Sequence, residues 1–116
     1  MNARSFLACL AIMGFATPAF AHAFLEHAAP AAGETLATAP KQVALTFSEQ
    51  LEPAFSGVSV ADSSGQDVEA GHAVVAGESM SVALKPLAPG TYRVTWHAVS
   101  VDTHRTEGAY SFTVKP

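Results

Sequence analysis

The sequence holds a single cysteine, Cys9, among its 116 residues, and only 14% of those residues are charged. One thiol cannot make a disulfide within the chain, so the fold rests on its core and on any metal it binds. Basic residues are scarce: six Lys and Arg against ten Asp and Glu give a formal net charge of -4. Few, scattered bases do not suit nucleic acid or an anionic membrane, whereas an acidic surface is compatible with a cationic cargo. There is no G-x-S-x-G and no glycine-rich phosphate loop, so the familiar nucleophile and nucleotide motifs are missing. Beyond Ala21 no stretch carries a helical apolar stripe.

Much of the apolar excess lies at the start. Residues Met1 to Ala21 read MNARSFLACLAIMGFATPAFA. Arg4 is a positive n-region, Phe6 to Ala16 an apolar core, Pro18 a helix breaker, and Ala19-Phe20-Ala21 an A-x-A cleavage signal. The apolar run is shorter than the roughly 20 residues a spanning helix needs. Cys9 lies inside that run rather than after it, which does not fit a lipoprotein signal. The expectation is an exported, periplasmic protein whose signal peptide is residues 1–21 and whose single domain is residues 22–116. Cleavage would remove Cys9 and Arg4, leaving a more acidic chain that begins at His22. A cut after Ala23 would satisfy the same small-x-small rule.

From there the pattern has period two. Val43, Leu45 and Phe47 alternate, as do Val58 and Val60, then Met80, Val82 and Leu84. Tyr92, Val94, Trp96 and Ala98 form the longest run, and Tyr110, Phe112 and Val114 the last. Turn signals separate them, at Pro30 to Gly33, Ser63 to Gly65, Gly71, Gly77 and Pro86 to Gly90. Short strands with one apolar face each bury those faces in two packed antiparallel sheets. The fold expected is therefore all-β: one Ig-like β-sandwich of about seven strands, without the disulfide of antibody domains. Met80 and the rings of Phe47, Tyr92, Trp96, Tyr110 and Phe112 are assigned to the core.

Two elements could hold a metal. A histidine that becomes the first residue can chelate through its α-amine and Nδ1, and an α-amine with a pKa of about 7.7–8.0 yields its proton readily to a metal. Asp102-Thr103-His104 offers a carboxylate and an imidazole at i and i+2, which share one side of an extended segment. Three nitrogens and one oxygen suit tetragonal Cu(II), which heads the divalent affinity series.

Several blocks then resemble one family in order along the chain. They are His22-Ala23-Phe24-Leu25, Pro30 to Leu36 (PAAGETL), Leu45 to Glu49 (LTFSE), Gly90 to His104 (GTYRVTWHAVSVDTH), and Gly108 to Val114 (GAYSFTV). Together they resemble the CopC (PcoC-like) copper-resistance family. The resemblance implies a periplasmic β-sandwich that binds Cu(II) through His22, Asp102 and His104, with Glu49 as an outer-shell or weak ligand. It also implies exchange of copper with a CopD-like inner-membrane transporter or a periplasmic multicopper oxidase. Two departures stand out. Some members hold Cu(I) in a methionine-rich loop, but the matching region, Ser59 to Val74, has no methionine. Many have proline after the D-x-H histidine, where this chain has Arg105.

The other histidines read as surface groups: His97 has opposite parity to Trp96, His27 lies an odd number of residues from His22, and His72 sits in a polar turn. Two rival readings remain. One is a histidine-brace copper monooxygenase, which an anionic Asp102 disfavours because it stabilises Cu(II) over Cu(I). The other is an Ig-like interaction module that binds no metal.

Overall fold

The computed structural model describes residues 23–116. Eight strands run in the order β1 (Leu25–Ala29), β2 (Thr35–Leu36), β3 (Gln42–Phe47), β4 (Gly57–Ala61), β5 (Val74–Ala76), β6 (Ser79–Ala83), β7 (Gly90–Val99) and β8 (Arg105–Val114). A single 3-10 turn, Pro53–Phe55, precedes β4. One sheet has the order β1-β3-β6-β5 and the other β2-β8-β7-β4. All pairings are antiparallel except that of β2 with β8. The β-sandwich read from the alternation is thus present. The five alternating runs became β3, β4, β6, β7 and β8. The strands without such a run are β1, β2 and β5, which are short and lie at sheet edges.

Each long strand buries its apolar parity. Val43, Leu45 and Phe47 of β3 face Val94, Trp96 and Phe112 of the second sheet across a common core. Phe47 meets Trp96 edge to face with centroids 5.1 Å apart, while Tyr92 stacks on its register partner Phe112 at 5.5 Å. Met80 is buried in β6, as its alternation predicted. The Tyr92 hydroxyl donates back to the carbonyl of Ala88 at 2.5 Å. That is the tyrosine-corner device of Ig-like domains, which pins the entry of a central strand. Tyr110 departs from expectation. It is half-buried, and its hydroxyl reaches the carbonyl of Pro30 at 2.8 Å. Burial, with a smaller contribution from the negative charge of Glu34, pushes its pKa up to about 12.

The sheets are tied at one end by the segment after β3. Leu51 bridges to Ser100, the Glu52 amide donates to the carbonyl of Val99 at 2.8 Å, and the Val101 amide donates to that of Gln50 at 3.1 Å. This tether brings the end of β3 beside the β7–β8 connection, where the candidate ligands lie.

Candidate metal centre

The β7–β8 ladder ends at the pair Val99–Arg105, so residues 100–104 form the connection. The Thr103 amide donates to the Ser100 carbonyl at 2.8 Å, and the Ser100 amide donates to the His104 carbonyl at 3.0 Å. Thr103 has φ of 74°, a left-handed conformation that a β-branched residue adopts only under constraint. Asp102 and His104 were expected side by side on an extended segment. They do meet, but across a tight turn, because the ladder stops before them and Thr103 reverses the chain.

Within this turn Asp102 Oδ1 accepts from the Ser100 hydroxyl and from the His104 amide at 3.4 Å, and it lies 3.3 Å from His104 Nδ1. The Ser100 hydroxyl, with smaller help from His104, holds the Asp102 carboxyl below the usual carboxylate range. Asp102 is therefore an anion at neutral pH. His104 exposes part of its ring, but Nδ1 itself is shut off from solvent. An imidazole and a carboxylate held in contact could supply one nitrogen and one oxygen to a tetragonal N,O site.

The other half was expected from His22, which lies outside the described residues. Its neighbours are firmly held. Ala23 is completely buried, and its carbonyl accepts from Thr106 Oγ1 at 2.7 Å. Phe24 and Ser48 bond reciprocally: the Phe24 amide donates to Ser48 Oγ at 2.8 Å, and the Ser48 amide donates to the Phe24 carbonyl at 2.9 Å. The chain that follows His22 is thus fastened two residues beyond His104 on β8 and one residue before Glu49. Glu49 is partly buried in the tether. Among the described residues no three His, Cys, Asp or Glu side chains form a cluster able to hold a metal, so Glu49 does not close on Asp102 and His104 as a third member.

The remaining histidines lie elsewhere. His97 is half-buried on the outer face of β7, opposite Gly57, and a Cβ there would come within 3.0 Å of its ring. His27 and His72 are exposed. Arg105, in place of a proline, pairs with Glu107 at 3.3 Å on the surface. Three supporting residues were missed in the sequence: Ser48, Ser100 and Thr106. Ser48 and Ser100 lie in the L-T-F-S-E and V-S-x-D-x-H blocks, whereas Thr106 lies in none of the quoted blocks.

The CopC domain profile matches residues 25–115. The chain belongs to the CopC family. Protein YobA of Escherichia coli K12 is 40% identical over 121 residues, covering 98% of each chain. The crystal structure of CopC from Methylosinus trichosporium OB3b superposes with a TM-score of 0.76 at 38% identity, covering 82% of this chain and 95% of that one. PcoC of Escherichia coli, described as a methionine-rich copper resistance protein, gives a TM-score of 0.71 at 40% identity, covering 82% and 100%. Unlike PcoC, this chain has just three methionines: Met1, Met13 and the buried Met80. Copper is therefore the metal against which this family's donor set is judged, and an imidazole beside an ionised carboxylate fits it.

Proposed function

We propose that the protein is a periplasmic Cu(II) carrier or sequestering protein of copper homeostasis, not an enzyme. One Cu(II) is held by the α-amine and Nδ1 of His22, the carboxylate of Asp102 and the imidazole of His104, with Glu49 outside the first ring of ligands or weakly in it. The observation that carries this reading is the anchoring of Ala23. A residue immediately after the proposed chelate is buried and bonded to Thr106, two positions from His104. A short rigid link of this kind favours a joint site over two separate weak ones.

The chemistry supports carriage. Asp102 is kept anionic, and an anionic oxygen ligand stabilises Cu(II) relative to Cu(I), which opposes the reduction that oxygen activation requires. Soft sulfur ligands, which Cu(I) prefers, are confined to a buried methionine among the described residues. Export by the 1–21 signal would free the His22 amine and deliver the protein to the periplasm. There the family resemblance points to exchange with a CopD-like inner-membrane transporter or a multicopper oxidase.

The test compares the processed protein, its first residue fixed by intact mass, with a form carrying one extra residue before His22. Stoichiometric tight Cu(II) binding by the first and a large loss in the second are expected, with no tight Cu(I) site in either. Equal Cu(II) affinity in the two forms, or a mature chain that starts elsewhere, would refute the chelate.

A further inference from the structure

Ser100 is the one buried polar side chain among the described residues, with 1% of its surface exposed. A buried hydroxyl is costly unless its hydrogen bonds are made. Ser100 makes them in a particular way. Its hydroxyl donates to Asp102 Oδ1, its carbonyl accepts from the Thr103 amide at 2.8 Å, and its amide donates to the His104 carbonyl at 3.0 Å. Three different groups of one residue thus engage all three members of the Asp102-Thr103-His104 triplet. The hydroxyl has a single proton to give, and of its two acceptors among the described residues the His104 carbonyl is the farther, at 3.4 Å. The proton therefore goes to the carboxylate. Ser100 is in turn fixed from below by its bridge to Leu51, on the tether that joins the two sheets. The anchor belongs to the core of the sandwich, while the groups it controls lie on the surface.

We infer that Ser100 is the positioning residue of the copper site: it orients the Asp102 carboxylate and clamps the turn, so that the Asp102–His104 half exists before copper arrives. The inference rests on the proposed function of the same residues. It explains how Thr103 is held left-handed without glycine: the bonds on either side of it both end on one buried residue. It also assigns the Asp102–His104 half of the site to the connection between β7 and β8, held from Ser100.

Ser100→Ala removes only the hydroxyl and keeps the packing of the β-carbon. Cu(II) affinity should fall about 10- to 100-fold, the range that follows loss of an outer-shell partner of a metal ligand. The electron paramagnetic resonance parameters of the bound Cu(II) should shift with it. In an Asp102→Ala background the same substitution should cost little further, because the group it positions is gone. Wild-type affinity in Ser100→Ala, or an undiminished loss in the double variant, overturns the inference. A second measurement needs no variant. In the metal-free wild type, the amides of Thr103 and His104 should exchange with solvent more slowly than an unstructured loop, and exchange at the unstructured rate overturns it. If Asp102→Ala itself leaves Cu(II) binding unchanged, the assignment of the site fails. If Asp102→Ala weakens binding and Ser100→Ala does not, only the role of Ser100 fails.

Discussion

The loop from Asp62 to Asp67, after β4, and the connection from Ser100 to His104, between β7 and β8, are made of similar parts. Each has an aspartate whose Oδ1 accepts from a serine hydroxyl two residues away. In each, that hydroxyl is the largest cause holding the carboxyl below its ordinary pKa. Each also has one left-handed residue, Gly65 at φ 87° and Thr103 at φ 74°. The differences lie in where the bonds lead. Asp62 accepts from Ser64 and from the amides of Ser64 and Gln66 at 2.9 and 3.0 Å. Every donor is local and exposed, and the carboxylate does no more than close its own turn, as Asx turns do. Asp102 takes its hydroxyl from a buried residue just beyond β7 and lies against an imidazole. A carboxylate with a depressed pKa in a loop is therefore no signature of a metal site. What sets Asp102 apart is its anchor in the core and its contact with a histidine, which the proposed metal site would use.

The comparison breaks most directly on copper itself. His104→Ala should reduce Cu(II) affinity by more than about 100-fold, beyond the range for outer-shell losses. Asp62→Ala should leave it unchanged, although both substitutions alter a loop bonded to an aspartate. Isothermal titration of the two variants beside wild type decides the matter. A comparable loss from Asp62→Ala would mean that the loop in the region where some relatives carry methionines takes part in binding.

Most of the sandwich was legible because its long strands have one face in the core. The parity of Val43, Leu45 and Phe47, or of Tyr92 to Ala98, is set by burial, and burial writes itself into the sequence. The edge strands β1, β2 and β5 hold few buried side chains, so nothing forces alternation there. At the site, the D-x-H pair was legible as chemistry but not as geometry. Period two suggested that Asp102 and His104 share a side of a strand, while the ladder ends at Val99 and the pair meets through a turn. Ser48, Ser100 and Thr106 were not legible as supports. What they bond is set by which strand ends are neighbours in space, and membership of a sequence block does not say which group a serine beside a strand end will bond.

The two left-handed residues sharpen the contrast at a smaller scale. A Cβ at Gly65 would meet nothing within 4 Å, so Gly65→Ala costs only the left-handed conformation, about 1–2 kcal/mol. Thr103→Gly relieves a similar penalty but adds about 0.5–1 kcal/mol of backbone entropy to be lost on folding. The expected net result is a gain in metal-free stability of at most about 1 kcal/mol. Urea unfolding of the metal-free variants reads both. A neutral Gly65→Ala, or a Thr103→Gly that destabilises as much as Gly65→Ala, would show that the two positions are not strained in the same sense.

The smallest effect is the acid dependence the two loops share. The folded pKa of Asp62 is depressed below 3.8, chiefly by the Ser64 hydroxyl and the Gln66 amide, and that of Asp102 is depressed below 3.8, chiefly by the Ser100 hydroxyl. A depressed carboxyl binds protons more weakly in the folded chain than in the unfolded one. Its contribution to stability is therefore complete above the unfolded value and disappears as pH falls from about 3.8 through the lower folded value. Asp62→Asn and Asp102→Asn should each lower the metal-free urea midpoint at pH 6, and each gap from wild type should narrow as pH drops below 4. With Cu(II) bound at pH 6 the loops should part company: Asp102→Asn should lose most of the added stability that copper gives the wild type, whereas Asp62→Asn should keep it. A gap for either variant that stays constant from pH 6 to pH 2 would contradict the hydrogen bonding assigned to that carboxylate. Equal stabilisation of both variants by copper would remove the distinction between an aspartate that closes a turn and one that faces a metal.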